Sequence, residues 1–509
     1  MWTRRQLLTL TLGISLSGCG AGSPRPRGAT SAGGVASKSP IELDGAGHWT
    51  RRLPWQRQVE LRAPDGAACD AQLAEAQREV RRLGGGVVRL PPGSFRFEAP
   101  IVLQEGVILR GATPETHSAL SPEFDPPTRL EFPDLDPERP QARGFAGIKI
   151  APGASRCGVM HLALNRGQID GREREPGSHR FVYGCLMRNA VAAQARPGGP
   201  DPRAFSDRFA AAIRLDAARG TYIANNRLPR SGEADFILRD YRLLDGETEI
   251  TVDALRFDHD NRPGIFANFH NAGGEAGSGF NGTPRSHPRA FRQGTEILGN
   301  FIACTGRTAI AFTGDGTVCR GNTVRFTPDV WRPTVDGRKL SRGSTTNGNR
   351  AVEARGWRWR VIDNDLEVYS NLAHDREYYL NDGEGVLHED HMNTSVRDVV
   401  LSHNRGNASL MLYKTGPIRG AEIRGNTIEM PDGRDHRTAI FVSASRNEAP
   451  QPCREVVIAD NRLVGDILLD GTPAAANAIR GNVSTAAGGT IFNRAEATLE
   501  DNTGFATDV

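Results

Sequence analysis

Residues 378–393, YYLNDGEGVLHEDHMN, bring Asp382, Glu384, His388, Glu389, Asp390 and His391 together in one short stretch. Four of the twelve histidines lie from His374 to His403, which makes this segment the first place to look for proton transfer. Asp382, Glu384 and Asp390 supply hard oxygen donors, and Gly383 and Gly385 permit a sharp bend between them, so the set suits Ca²⁺ in character. It is not an EF-hand, because the ligand series does not continue. His388 and His391 are three apart rather than four, which departs from the helical zinc motif H-E-x-x-H. The plain alternative is a polar turn with solvated charges. One coil later, Lys414 in LMLYKTG lies beside the alternating Leu410 and Leu412. A lysine can remove a proton alpha to a carboxylate when neighbouring positive charge or metal lowers its pKa.

A second group is RFDHDNR at 256–262, with Asp258, His259 and Arg262. Phe257-Asp258-His259-Asp260 resembles the D-P-H-D motif of alginate epimerases, although the proline is missing. That resemblance implies His259 as acid or base at the sugar C5 proton and Arg262 against the uronate carboxylate. A loop ion-pair network would use the same residues. Trp331, Tyr378 and Tyr379 offer aromatic faces on which sugar rings stack. Trp357 and Trp359, in GWRWRVID, alternate with Arg as strand residues packed under a loop would.

The elements that must position these groups are written in a repeat. An apolar residue, two spacers and an Asn recur with Asn at 226, 300, 322, 364, 404, 426, 461, 482 and 502, and the spacings after Asn300 are 22, 42, 40, 22, 35, 21 and 20. Most spacings are near one unit or two, the signature of a solenoid. The residue three before each Asn is apolar: Ile223, Ile297, Cys319, Val361, Leu401, Ile423, Ile458, Ile479 and Leu499. Short strands such as those at 309–312 and 422–423, broken by Gly and Asn, predict coils of β-strand and turn. With coils about 4.8 Å apart, an Asn at one place in every coil can form an internal ladder. The expected fold is all-β, a right-handed parallel β-helix.

A solenoid of 509 residues needs no second domain, because it grows lengthwise. The 58 Gly and 31 Pro with 38% hydrophobic residues suit many turns and exclude a coiled coil or a disordered chain. With a formal charge of +3, nothing indicates a strongly basic nucleic-acid surface. No glycine-rich phosphate loop followed by a helix is present, which disfavours a nucleotide-dependent function.

Residues 1–18 read as an export signal: charged start, short apolar run, small residues. Leu16-Ser17-Gly18-Cys19 resembles the lipobox of bacterial lipoproteins, which implies lipidation of Cys19, and Thr3-Arg4-Arg5-Gln6-Leu7-Leu8 resembles a twin-arginine signal without its usual Ser and Phe. The apolar run is too short to span a membrane. Residues 19–55 read as a flexible tether. Six further cysteines, Cys69, Cys157, Cys185, Cys304, Cys319 and Cys453, leave disulfides or buried thiols open, and Cys319 stands at a repeated core position.

Residues 56–111 are the expected cap and first coils. DAQLAEAQREVRRL at 70–83 predicts an amphipathic helix with Asp70 as N-cap, followed by strands at 87–90, 94–97, 101–103 and 107–109. This opening resembles that of pectate-lyase-like β-helix proteins, in which a helix covers the open end of the solenoid; the family implies a bias toward polysaccharide substrates. Residues 112–509 complete the solenoid, with interruptions near 118–144, 240–294, 328–350 and 369–396, where the chemistry is expected. The sequence thus points to an exported, membrane-anchored protein, periplasmic or at the cell surface, that acts on a polysaccharide, acidic ones included, by lyase or hydrolase chemistry. C5 epimerisation and non-catalytic glycan binding are the alternatives.

Overall fold

The structure is a computed structural model that describes residues 48–62, 68–133, 146–165, 167–171, 177–188, 211–229, 234–245, 248–258, 265–267, 293–303, 308–326, 334–335, 338–339, 349–368, 378–382, 396–415, 417–430, 438–446, 449–486 and 488–508. All lie in the compact unit Ser39–Val509; the separate unit Met1–Lys38 is outside the described residues. Short strands fall into three columns that recur in chain order. One coil runs Asn349–Trp357, Arg360–Ile362, Asp365–Val368, and the next runs Tyr378–Asp382, Val396–Ser402, Arg405–Gly406. Each strand pairs in parallel with the strand of its column in the next coil, as in Val361↔Leu401↔Ile423↔Ile458. The first two columns are hydrogen-bonded into one 29-stranded sheet and the third forms a 12-stranded sheet. This is a parallel β-helix.

Alternation along each strand explains the single long core. Ile101, Ile148, Ile169 and Ile213 stack inside the first column, and Ile310 and Val352 continue the stack. Each full burial contributes about 1.5–3 kcal/mol. In the second column the residues three before the repeated Asn are all interior, Cys319 among them, and only Leu499 in the last coil is partly exposed.

From Met160 onward, a two-residue turn joins second column to third in every coil. Its first residue is left-handed: His161, Gly184, Asn225, Asp363, His403, Asp460 and Asp501 among others. Its second is the repeated Asn from Asn226 onward, and Leu162 and Cys185 in the two coils before. The carboxamide oxygen of Asn364 accepts the backbone N–H and the Nδ2–H of Asn322, both at 2.9 Å, and Asn364 donates in turn to Asn404 Oδ1 and to the Cys319 carbonyl. The same pattern runs unbroken from Asn226 to Asn502. Every buried amide is thereby satisfied by its neighbours. Cys185 takes the place of the Asn one coil before Asn226, where only the backbone N–H reaches Asn226 Oδ1.

Helix Asp70–Arg82 turns Leu73, Ala76 and Val80 into the core of the first coils. Its N-cap is Cys69 rather than Asp70. The Asp70 carboxylate instead accepts the N–H groups of Glu98 (3.0 Å) and Ala99 (3.1 Å), which fastens the cap to a coil. Residues 48–55, expected to finish the tether, form a strap over the outside of the second column. His48 Nε2 lies 2.6 Å from Glu296 Oε2, and Trp49 packs on His179. Leu53 and Trp55 then cover Val87, Ile108 and Phe181. Cys69, Cys157, Cys185, Cys319 and Cys453 are all buried, and the disulfide alternative fails for Cys185, Cys319 and Cys453, which are free. Burial pushes the thiols of Cys185, Cys319 and Cys453 up to about 12. No helix among the described residues is long and apolar enough to cross a membrane.

Three expected interruptions contain strands of the solenoid; Ile265–Ala267, within the second, belongs to the first column. Thr128–Glu131, within the first, belongs to the third column, and Tyr378–Asp382, within the fourth, belongs to the first column. The second interruption begins earlier than its expected start, as an antiparallel hairpin of Ala234–Asp245 and Thr248–Asp258.

Candidate functional site

The connections show which face of the solenoid is elaborated. The second-to-third turns stay at two residues, whereas the long connections flank the first column. On one edge, Arg188 leads to Ile213, Leu228 to Ile265 and Phe326 to Asn349; on the other, Ala267 leads to Gln293 and Asp382 to Val396. A strand needs no such additions to stay in the stack, so the outer face of the first column is the candidate site.

Outward positions on this face carry charge. Lys149, Asp170 and Arg214 stand on successive strands in register, about 4.8 Å apart per step. Lys149 is exposed and Asp170 half-buried, while Arg214 is 1% exposed. The Arg214 and Asp216 side chains approach to 3.9 Å, and Asp216 is 2% exposed. Arg180 braces this corner. Its guanidinium donates to the carbonyls of Ala154 (2.7 and 2.8 Å), Asp216 (2.7 Å) and Gly171 (3.3 Å). Three strands further on, Glu353 stands outward beside Ala311 and is 3% exposed. Removing such charges from water costs several kcal/mol, so their presence here weakly supports stability and favours a function.

Charge elsewhere has a structural explanation. On the third column Arg325 makes a bidentate contact with Asp365 (2.9 and 3.0 Å), and Arg405 meets the same carboxylate at 2.9 Å. Burial pushes the Asp365 carboxyl up, but the two guanidinium groups outweigh it and leave it below the usual carboxylate range. Trp359 is buried against Phe312, and Trp357 lies under Arg397, 4.6 Å from its ring centroid. Trp357 ends a strand and Trp359 lies in the turn after it, and both are engaged by these neighbours.

The backbone brings several sequence-predicted residues to the candidate face. Tyr378, Tyr379 and Asp382 lie on the strand next to that of Glu353, with Asn349↔Tyr378 and Arg350↔Tyr379 in register. Glu353 and Asp382 are both four residues beyond that first pair. Asp382 in turn pairs with Tyr413, the neighbour of Lys414 on strand Ser409–Thr415. Asp258 ends the hairpin strand Thr248–Asp258, outside the solenoid columns. Glu384, His388, Glu389, Asp390, His391, His259, Arg262, Trp331 and Cys19 lie outside the described residues. Among the described residues no group of three or more His, Cys, Asp or Glu is placed to hold a metal ion, and of the expected Ca²⁺ ligands only Asp382 is among them.

Sequence reasoning missed Arg214, Asp216 and Glu353. The available signal was a charge between two interior apolar residues, as in Ile213-Arg214-Leu215 and Val352-Glu353-Ala354.

No protein-family model matches the chain, and no curated protein sequence matches it. Among solved structures it is similar to a double mutant of the tailspike protein of E. coli bacteriophage HK620 in complex with a pentasaccharide, at 12% identity and TM-score 0.44, covering 86% of this chain and 65% of the tailspike. It is also similar to the A-module of the Azotobacter vinelandii mannuronan C-5 epimerase AlgE6, at 13% identity and TM-score 0.34, covering 87% of this chain and 96% of the module. A third similar structure is the catalytic unit of a thermostable GH87 alpha-1,3-glucanase from Streptomyces thermodiastaticus, at 13% identity and TM-score 0.39, covering 87% of this chain and 66% of that unit. The chain thus spans just under two thirds of the tailspike and of the glucanase unit, and the parallel ladders themselves establish its fold as a β-helix.

Proposed function

We propose that the protein is a polysaccharide-degrading enzyme whose substrate lies along the outer face of the first column, and that it works by glycoside hydrolysis with Glu353 and Asp382 as the carboxyl pair. The observation that carries this reading is Glu353, a carboxylate 3% exposed at an outward position, one strand from the strand that ends in Asp382. Hydrolysis needs one carboxyl to protonate the leaving oxygen and a second to act as nucleophile or to activate water. A strand spacing of about 4.8 Å is near the separation of about 5–5.5 Å used by retaining enzymes. Arg214 and Asp216, three strand steps or about 14 Å away, are too distant to join that pair and are assigned to substrate binding.

A lyase reading is supported by one specific observation, the placement of Lys414 next to Tyr413, the register partner of Asp382. Lys414 would then be the base at a uronate C5. The test is to incubate the protein with a panel of neutral and uronic-acid polysaccharides while recording reducing ends and unsaturated-product absorbance together. Hydrolysis predicts new reducing ends without unsaturation, lost in Glu353→Gln and Asp382→Asn. Unsaturation that depends on Lys414 would replace it with the lyase reading, and tight binding without either product would make the protein a glycan receptor. Export and anchoring through Cys19 belong to the same proposal; the check is loss of lipid labelling in Cys19→Ser.

A further inference from the structure

We propose that the corner between the second and third columns, at Arg110 and His161, is a separate binding site for the carboxylate of an acidic sugar. Three observations converge there, none of which the first-column site uses. First, Arg89, Arg110, Met160 and Tyr183 stand outward in one in-register stack. Two like charges about 4.8 Å apart repel each other. Arg89 is relieved only by a 4.0 Å contact with Glu60, and the half-buried Arg110 guanidinium has no hydrogen bond or ion pair among the described residues. Second, His161 follows Met160 in the left-handed turn, is 5% exposed, and has a buried Nδ1 without a partner. An orphaned buried polar atom of this kind costs about 1–3 kcal/mol unless something fills its valence. Third, the corner has an aromatic wall. Tyr183 has its ring centroid 5.7 Å from that of His161 and stacks on Tyr222 at 6.3 Å and 13°.

Local chemistry fits an anion better than a cation or a neutral group. Burial, with the charges of Arg110 and His117, lowers the His161 pKa to about 4, so at neutral pH the imidazole is an uncharged N–H donor beside a cation. Exposed His117 is held close by, because Asn225 Nδ2 donates to the His117 carbonyl (2.7 Å) and Ala119 N–H donates to Asn225 Oδ1 (2.8 Å). A carboxylate seated here would accept from the Arg110 guanidinium and the His161 N–H while its ring lies on Tyr183.

The test titrates the full chain with galacturonate and mannuronate trimers, a neutral glucose trimer, and inorganic sulfate, and follows the His161 ring signals by NMR against pH. The uronate trimers should raise the midpoint of His161 titration, and Arg110→Gln should weaken their binding at least tenfold while Arg110→Lys retains most of it. The His161 midpoint reads this corner alone, which separates it from the first-column face. An unmoved His161 midpoint, equal binding by Arg110→Gln, or an equal response to the glucose trimer overturns the proposal. Sulfate acting as strongly as the trimers would show a simple anion site and overturn the sugar assignment. If Arg110→Gln does not fold, the wild-type His161 response decides.

Discussion

Replacing Asn364 by Ala removes one rung from the middle of the Asn ladder, and the structure sets the cost. The Asn322 backbone N–H and one Asn322 Nδ2–H lose their shared acceptor, both bonds being 2.9 Å, and the Cys319 carbonyl loses a 3.0 Å donor. Asn322 is 1% exposed and Asn364 1%, so water cannot take the vacated positions without opening the coil. Asn404 Oδ1 is less affected, since it keeps the backbone N–H of residue 364 at 3.1 Å. Two orphaned donors at about 1–3 kcal/mol each, plus a weakened acceptor, give a loss of about 3–5 kcal/mol. Asn502 gives the contrast. It accepts the same two bonds from Asn482 and donates to the Ile479 carbonyl, but from a partly exposed position where water can replace it, so Asn502→Ala should cost only about 1 kcal/mol. Urea unfolding gives the global values, and because coils of a solenoid can open separately, hydrogen exchange of the Asn322 amide gives the local one. Equal losses for the two variants, or an unchanged Asn322 exchange rate in Asn364→Ala, would refute the ladder as the stabilising device.

Other consequences are equally direct. Glu353→Gln and Asp382→Asn should each lower the rate of reducing-end release by about 10²–10⁴ with unfolding midpoints unchanged, as loss of general acid–base function requires. Gly184→Ala should destabilise its coil by at least about 1–2 kcal/mol, because φ is +63° and a Cβ would stand 2.6 Å from the His161 ring; thermal unfolding reads this. The pH dependence follows from His161. Its folded pKa of about 4 lies below the unfolded value of 6.5, so the unfolded chain binds more protons between them. Stability present above pH 6.5 is therefore lost as pH falls to about 4, by about 3 kcal/mol from this group, and His161→Asn should flatten that limb of the urea midpoint against pH.

The scaffold was legible in the sequence and the site only partly so, for a physical reason. A ladder Asn must satisfy the same two groups in every coil, so its identity and its distance from an interior apolar residue recur and can be read. The left-handed residue before it is equally constrained, and Gly, Asn, Asp and His fill it because few others tolerate φ near +55°. Site residues obey no such repetition. Arg214 and Glu353 look like ordinary polar members of alternating strands until the structure shows them buried at outward positions of the first column. The cluster at 378–393 drew notice by composition, yet its first five residues turn out to be a strand of the first column, beside that of Glu353. The misplaced N-cap has the same origin: Asp70 is the residue type that caps helices, but two N–H groups at Glu98 and Ala99, far off in sequence, compete for its carboxylate and win. Local spacing reports what each coil must do for its neighbours. What a coil does for a ligand depends on which strands the stacking makes adjacent, and the strands of Glu353 and Asp382 become neighbours only through that stacking.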